Sequence, residues 1–261
     1  MRNVKALILG LSLLAVNFSG CDKEATEPSV NTGNIIVYLT DAPVSFDAVN
    51  ITFSEISAHL DSEWVIINLQ SDATVNLLDW TNGKSMIIGQ EEVPAGHYTQ
   101  VRLKIKAAEI VVDEEIFALD VPSGAQTGLK LGLNMTIEPG STYELVLDFD
   151  VNKSIVTTGP KKDPKGYKLN PHIRVISKAA SGSISGIVTN PIDMPFAYAI
   201  QNSDTITSTM VDVSSGYFML SYLPEGSYTA AIEDTIGKSF VQNNVDVVAG
   251  QNHNIGDVTL Q

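Results

Sequence analysis

The chain has 261 residues, of which 16 are basic and 30 acidic, so its formal net charge is −14 at pH 7. A phosphate backbone requires a basic face, and this charge balance therefore excludes nucleic acid from the expected partners. Cys21 is the single cysteine, which rules out an intramolecular disulfide and a thiolate metal site.

Residues 1–20 have the layout of an export signal. Arg2 and Lys5 precede an apolar run over residues 6–16, which is too short to cross a bilayer as a helix. The run ends in Phe18-Ser19-Gly20-Cys21, which resembles the lipobox of bacterial lipoproteins, although leucine is more usual where Phe18 stands. The resemblance implies that Cys21 is acylated, for example with palmitate, and becomes the first residue of the mature protein.

Residues 21–33 are predicted to be a flexible tether, because they are rich in charge, Thr, Ser and Pro. Acyl chains on Cys21 would hold the protein on a membrane, since each buried methylene contributes about 0.8 kcal/mol. Lys23-Glu24 resembles a signal that sends some Gram-negative lipoproteins to the cell surface, whereas Asp22 in enteric bacteria implies inner-membrane retention. We expect a cell-envelope protein anchored in the outer membrane, with either orientation open.

From residue 34 onward the apolar residues alternate with a period of two, which indicates an all-β protein. A first β-sandwich domain is predicted over residues 34–178. Its expected strands are 35–39, 49–53, 56–60, 64–69, 74–78, 85–88, 96–112, 116–121, 129–137, 143–151 and 167–176. The apolar parity changes near Ser54-Glu55, which predicts a β-bulge there, and Asn82-Gly83 is a hairpin signal.

The strand 96–112 is expected to have one core face and one solvent face. Alternation assigns Val101, Leu103, Ile105 and Ala107 to the core, and Tyr98, Gln100, Arg102 and Lys104 to solvent. A Pro-x-Gly-x-Tyr turn opens this strand at residues 94–98 and returns at 224–228, with a weaker third copy at 139–143. The repeat predicts that hairpins stacked into sandwiches build the whole chain.

Residues 179–183 are small and are predicted to be a linker between domains. The second domain, residues 184–261, reads as seven short strands of a second sandwich, at 184–188, 197–200, 205–213, 217–220, 227–232, 240–247 and 253–260. Four of its stretches resemble the carboxypeptidase regulatory-like domain: 182–189, 216–220, 223–228 and 248–250. That resemblance implies a non-catalytic, prealbumin-like sandwich of seven strands.

The first domain resembles the bacterial lipoprotein family known as domain of unknown function 4382. The stretches that carry the resemblance are 37–43, 93–98, 121–124 with 128–131, and 147–151 with 153–155. The family implies a fold and a lipoprotein context, and it implies no activity.

The sequence does not have the residues and spacing that three kinds of catalytic or binding site require. The stretch 182–186 has isoleucine where a nucleophile elbow needs serine, and 124–130 lacks the Gly-Lys-Ser/Thr ending of a phosphate loop. The four histidines, His59, His97, His172 and His253, lie far apart in the sequence without a zinc-binding pair. We therefore predict no catalytic residue.

The carboxylates are stronger candidates for a binding site. Asp148 and Asp150 alternate on one strand, and with Asp41 at another strand end they could bind Ca²⁺ through oxygen ligands. The alternatives are a solvated face, ion pairs with Lys153 and Arg174, or a pair of carboxylates for glycoside hydrolysis. No other cofactor is expected.

Aromatic side chains and two short motifs suggest contact with sugars. The aromatic side chains that could stack on sugar rings are Trp64, Trp80, Tyr98, Tyr167 and Tyr217. Residues 204–206 and 234–236 resemble acceptor sites of bacterial O-glycosylation, at Thr205 and Thr235. The expectation is a non-catalytic, lipid-anchored module that binds glycans or envelope proteins, the alternatives being a hydrolase of unrecognised type or a structural spacer.

Overall fold

A computed structural model of the chain describes residues 31–42, 46–69, 74–159 and 166–261. The predicted signal peptide, Cys21 and most of the predicted tether lie outside these residues. Within the described parts, no helix is long and apolar enough to cross a lipid bilayer. The described residues are mostly β-strand, so the all-β prediction is confirmed.

Twelve strands form the first sandwich. They are β1 (Thr32–Ala42), β2 (Ala48–Leu60), β3 (Glu63–Ile67), β4 (Val75–Asn76), β5 (Met86–Pro94), β6 (Gly96–Val112), β7 (Glu115–Asp120), β8 (Leu129–Ile137), β9 (Thr142–Asp150), β10 (Ile155–Thr158), β11 (Gly166–Leu169) and β12 (Ile173–Ser177). Short helices lie between them: α1 (Ser123–Gly128), α2 (Val151–Ser154) and a 3₁₀ turn at Leu77–Trp80. One sheet has the order β12-β9-β1-β5, and the other has β10-β11-β7-β6-β2-β3, with β4 on β2 and β8 on β6.

Seven strands form the second sandwich, as predicted. They are β13 (Ser181–Val188), β14 (Phe196–Gln201), β15 (Asp204–Met210), β16 (Tyr217–Pro224), β17 (Gly226–Glu233), β18 (Ser239–Val247) and β19 (Asn252–Val258). A three-stranded sheet, β16-β13-β19, faces a four-stranded sheet, β15-β14-β17-β18. Each sandwich has its own buried apolar core, and Phe149 and Phe218 are among the fully buried side chains of the first and second cores.

Two changes of parity on β6 correct the predicted faces of this strand. Tyr98 is fully buried and Ala107 is exposed, the reverse of the prediction. In its pairing with β2, β6 has an extra residue at Thr99, opposite His59 and Leu60, and another at Lys106, opposite Thr52 and Phe53. A separate shift in this pairing, between Phe53 and Glu55 on β2, is the bulge predicted near Ser54-Glu55, which is confirmed. Each extra residue transfers the following side chains to the opposite face, so simple alternation fails across it.

The Pro-x-Gly-x-Tyr repeat has the same geometry in both sandwiches. The Tyr98 hydroxyl donates to the Pro94 carbonyl at 2.7 Å, and the Tyr228 hydroxyl donates to the Pro224 carbonyl at 2.9 Å. Both rings are buried, and burial raises the pKa of both tyrosines. Each phenol therefore stays protonated as a donor and closes the corner between two strands.

The two sandwiches also share the way in which their first strand is held. Gly33 and Gly182 lie so close to neighbouring carbonyl oxygens that an added Cβ would approach them to 2.9 and 2.4 Å. The amides of Gly140 and Gly250 donate to the carbonyls of the residues preceding these glycines, at 2.8 and 2.9 Å. The predicted third copy at 139–143 is, as expected, a turn that leads into a strand, β9, but it is the counterpart of residues 249–251 and has no tyrosine corner.

Several predicted boundaries differ from the structure. Residues 32–33 of the predicted tether belong to β1, and the predicted linker 179–183 is a 3₁₀ turn at Lys178–Ala180 followed by the start of β13. Ser181 is buried there and pairs with Pro224, so the end of this segment belongs to a sheet of the second sandwich. The predicted strand 74–78 is the two-residue strand β4 followed by the start of the 3₁₀ turn, and 167–176 is two strands. Asn82-Gly83 joins the 3₁₀ turn to β5 instead of closing a hairpin.

Replacing Tyr98 by Phe tests the corner. The change removes one hydroxyl and leaves the Pro94 carbonyl without its partner. We expect the free energy of unfolding to fall by about 1–2 kcal/mol, because a lost hydrogen bond also costs the desolvation of the group left behind. Chemical denaturation measures the loss, and Tyr143→Phe is the control, since no hydrogen bond of its hydroxyl occurs within the described residues. Equal stability of Tyr98→Phe and the unmodified chain would contradict this role.

Candidate functional site

The outer face of the four-stranded sheet in the second sandwich carries an aromatic pair. Phe196 and Tyr198 lie two residues apart on β14, and their rings are stacked with centroids 6.4 Å apart and an interplanar angle of 25°. Ala197 and Ala199 occupy the opposite, fully buried face. Residues of a strand alternate between faces, so the small side chains enter the core and both rings stay outside it.

A groove of about 360 Å³ runs across this face beside Tyr198. Ala231 on β17 is opposite Tyr198 on β14, and Val241 on β18 is opposite Ala231. Val241 is 57% exposed. Polar side chains border the apolar floor: Thr205, Glu233 and Ser239. We call Phe196, Tyr198 and this groove the aromatic face. It combines flat apolar surface with hydrogen-bonding groups at its edge, as small-ligand sites do.

The electrostatics of the aromatic face leave its groups ready to form hydrogen bonds. Burial, with a smaller contribution from the Glu233 carboxylate, raises the pKa of Tyr198. The phenol therefore remains a neutral donor and acceptor at physiological pH. Glu233 is exposed, and an ionised carboxylate is a strong acceptor for hydroxyl groups.

A second feature is the junction between the sandwiches, where the Asn82-Gly83 turn of the first sandwich contacts the second. The Asn82 side-chain oxygen accepts the Met219 amide at 2.6 Å, and its amide group donates to the Tyr217 carbonyl at 3.5 Å. Asn82 has a positive φ of 56°, which asparagine tolerates better than most residues. The Tyr222 hydroxyl adds a bond to the Ser85 hydroxyl at 2.9 Å.

A small cavity of about 10 Å³ lies inside this junction. Asp41 and Asp148 line it from the first sandwich, and Thr209 and Ser221 line it from the second. Both hydrogen bonds from Arg174 go to Oδ2 of Asp148, one of them at 2.9 Å from Nε. Burial raises the pKa of Asp148, and the guanidinium of Arg174 offsets only part of that effect.

The three predicted metal ligands do not all lie at one site in the structure. Asp41 and Asp148 reach the same cavity, but Asp150 is used elsewhere. Asp150 accepts the amide of Lys153 at 3.0 Å, at the start of α2, and pairs with its ammonium at 2.8 Å. Ion pairing with Lys153 and Arg174, the alternative stated from sequence, is therefore observed. Across the described residues, no three His, Cys, Asp or Glu side chains converge as metal ligands.

The aromatic side chains considered from sequence are engaged elsewhere. Tyr98 is buried in its corner, Trp80 packs against the first core, and Tyr167 lies edge-on to Phe117 with centroids 5.3 Å apart. Trp64 lies under the guanidinium of Arg102, which is 4.3 Å from the ring centroid. The ring of Tyr217 is half-buried at the junction. The sequence reasoning missed Phe196 and Tyr198, although the run of two alanines alternating with two aromatics carries the signal.

The histidines and the two threonine motifs lie apart from one another. His59 contacts Thr99 and Trp64, His97 contacts Asn134, and His253 contacts the Asp246 carbonyl. Thr205 is exposed at the edge of the aromatic face, and Thr235 is exposed in a turn, where its hydroxyl donates to the Asp193 carbonyl at 3.0 Å. Glycosylation at either threonine stays a prediction.

The fold and its surfaces define an all-β protein of two sandwiches with a groove on an outer sheet face. Residues 32–171 match the family described as Domain of unknown function (DUF4382), and because the match covers more than half of the chain, the protein belongs to this family. Comparison with curated proteins found no match.

Three solved structures share low similarity with the chain. The Bacillus anthracis TIE protein is 12% identical with a TM-score of 0.24, over 88% of this chain and 34% of that one. A leucine-rich repeat protein from Bacteroides thetaiotaomicron VPI-5482 is 12% identical with a TM-score of 0.21, over 90% and 26%. BcpA, the major pilin subunit of Bacillus cereus, is 9% identical with a TM-score of 0.22, over 88% and 70%. The chain thus spans about a third and a quarter of the first two.

Proposed function

We propose that this protein is a non-catalytic, lipid-anchored module of the cell envelope that binds glycans through the aromatic face. The observation that carries the proposal is the stacked pair Phe196 and Tyr198, outside the core and next to Glu233 and two hydroxyl side chains. A pyranose ring has an apolar C–H face that packs flat on an aromatic ring and buries apolar area. Its hydroxyl groups then meet the carboxylate and hydroxyls at the edge of the groove.

The anchor belongs to the same proposal. The lipobox-like Phe18-Ser19-Gly20-Cys21 supports acylation of Cys21, and Lys23-Glu24 supports delivery to the outer membrane and cell surface. A module held there meets polysaccharides at high local concentration, so weak individual contacts suffice. The resemblance of the second sandwich to carboxypeptidase regulatory-like domains supports a non-catalytic role.

The alternatives receive less support from the geometry. A hydrolase would need Asp148 and a second carboxylate beside a substrate cleft, but the cavity that Asp148 lines has a volume of about 10 Å³, too small for a sugar ring. A pure spacer would need no concavity beyond the groove between its domains. The groove of the aromatic face, about 360 Å³, is larger than the groove of about 280 Å³ between the sandwiches, which is lined by Gly83, Lys178 and Met219 among others. An envelope protein bound at the aromatic face is the remaining alternative.

Tyr198→Ala tests the proposal. The mature chain with Cys21→Ser, which removes the predicted acylation site, is screened on an array of envelope polysaccharides, and the best ligand is titrated by calorimetry. We expect Tyr198→Ala to weaken binding about tenfold or more, since a buried aromatic face contributes on the order of 1–3 kcal/mol.

Ile116→Ala is the matched control, because Ile116 is 67% exposed on the first sandwich, away from the groove, and we expect unchanged affinity. Absence of any glycan ligand, or binding that is indifferent to Tyr198, would contradict the proposal. Retention of an envelope protein that Tyr198→Ala abolishes would favour the protein-binding alternative.

A further inference from the structure

Two of the hydroxyl groups that line the cavity at the junction, those of Thr209 and Ser221, have no hydrogen-bond partner among the described residues. Thr209 is 2% exposed, and its hydroxyl has no partner among the described residues. The buried hydroxyl of Ser221 likewise has none. Leaving such a group unsatisfied costs about 1–3 kcal/mol, so these hydroxyls require an occupant in the cavity.

A carboxylate oxygen from the other sandwich completes the set. Asp148 is 4% exposed and lines this cavity, and both hydrogen bonds from Arg174 go to its Oδ2, which leaves Oδ1 outside that ion pair. Asp41 lines the same cavity, and its Oδ1 accepts the Val151 amide at 3.1 Å. The functional groups that converge here are oxygens of carboxylates and hydroxyls, the ligands that hard cations prefer.

The size of the cavity limits what can bind. A volume of about 10 Å³ is that of one water-sized particle, so a single ion fits and an organic ligand does not. Thr209 and Ser221 belong to β15 and β16, whereas Asp148 belongs to β9, so an ion at this position contacts both sandwiches.

The geometry points to a Ca²⁺ site at the junction, with Asp148, Thr209 and Ser221 as ligands and Asp41 beside them, which fixes the two sandwiches relative to each other. This site goes beyond glycan binding and does not depend on it. It also differs from the site expected from sequence, because Asp150 is outside it and the hydroxyl ligands come from the second sandwich.

Calcium titration of the Cys21→Ser chain, previously stripped with a chelator, tests the site. We expect one Ca²⁺ per chain by calorimetry and a rise in melting temperature as Ca²⁺ is added. Thr209→Val keeps the shape but removes one ligand, so it should weaken Ca²⁺ binding at least tenfold. Without Ca²⁺ the same variant should be as stable as the unmodified chain or more stable, because it removes an unsatisfied hydroxyl.

Two further variants make the result decisive. Ser221→Ala should weaken Ca²⁺ binding as Thr209→Val does, and Asp150→Asn should leave it within about twofold, because Asp150 is outside the cavity. Absence of calcium binding at millimolar concentration would mean that the cavity holds water only and would overturn the proposal. Calcium binding that neither Thr209→Val nor Ser221→Ala weakens would place the ion elsewhere and would overturn it equally.

Discussion

Arg174→Met should destabilise the protein by about 3–5 kcal/mol, because it leaves the buried Asp148 carboxylate without its charge partner. Asp148 has 5% of its side chain exposed and Arg174 has 28%, so the carboxylate is the more deeply buried member of the pair. Methionine retains much of the volume of the arginine stem, and the loss therefore reports mainly the uncompensated charge.

The same variant should depend on pH in a defined direction. Burial raises the pKa of Asp148 above its ordinary value of 3.8, and removal of Arg174 should raise it further. An acid whose pKa is higher in the folded state contributes stability below its unfolded pKa and loses that contribution as pH rises through its folded pKa. The penalty of Arg174→Met should therefore be largest above the raised folded-state pKa, shrink as the pH falls through that pKa, and be smallest below the unfolded value of 3.8.

Chemical denaturation at several pH values measures both effects, with Arg102→Met as the matched control. Arg102 pairs with Glu55 at 2.9 Å, but Glu55 is 22% exposed and also pairs with Lys104. The control should cost about 1 kcal/mol or less, as partly exposed ion pairs do. A penalty for Arg174→Met no larger than that of the control would show that Asp148 is not held by this pair.

Phe218→Ala is the other change for which we expect a large effect, about 3–5 kcal/mol. The ring is fully buried in the second core and lies against Gly186, where an added Cβ would approach the ring carbons to 2.9 Å. Alanine leaves a cavity in a core that has fifteen buried apolar side chains among the described residues, and a core of this size cannot refill the cavity at low cost.

The comparison variant is Ile187→Ala, one residue beyond the position on β13 that pairs with Phe218. Ile187 is 43% exposed, and its truncation should cost about 0.5 kcal/mol. Equilibrium unfolding, followed by tryptophan fluorescence and circular dichroism, measures both variants. Trp64 and Trp80 belong to the first sandwich, so coincident shifts of the two signals would show that the sandwiches unfold together. A small effect of Phe218→Ala would mean that the second core relaxes around the loss.

The periodicity of the sequence was sufficient for the fold class and for most strands, because a two-residue repeat has one structural meaning. It failed on β6, where bulges reverse the inward face: Tyr98 was assigned to solvent and Ala107 to the core, and both assignments were wrong. The bulge near Ser54-Glu55 was visible because the apolar parity changes there. The shift at Tyr98 is set by pairing with His59 and Leu60 of β2, which are distant from it along the chain.

The candidate sites depend on tertiary contacts that a single sequence does not contain. Asp41 and Asp148 could be selected as carboxylates, but Thr209 and Ser221 became relevant only because the second sandwich is seated on the first. Tyr198 was overlooked because an aromatic residue in a strand is usually assigned to the core, whereas here two alanines occupy the core face of β14. Packing against the facing sheet determines which side of β14 enters the core.

The parallel pairing of the first strand of each sandwich has a kinetic consequence. Tyr38 and Glu144, which join β1 to β9, lie 106 residues apart along the chain, whereas Ser183 and Asn252, which join β13 to β19, lie 69 apart. The entropy lost on closing a loop grows with its length, and chains with more local contacts cross their folding barrier sooner. During renaturation, the C-terminal half is therefore expected to complete its fold first and to offer a preformed surface on which the N-terminal half assembles.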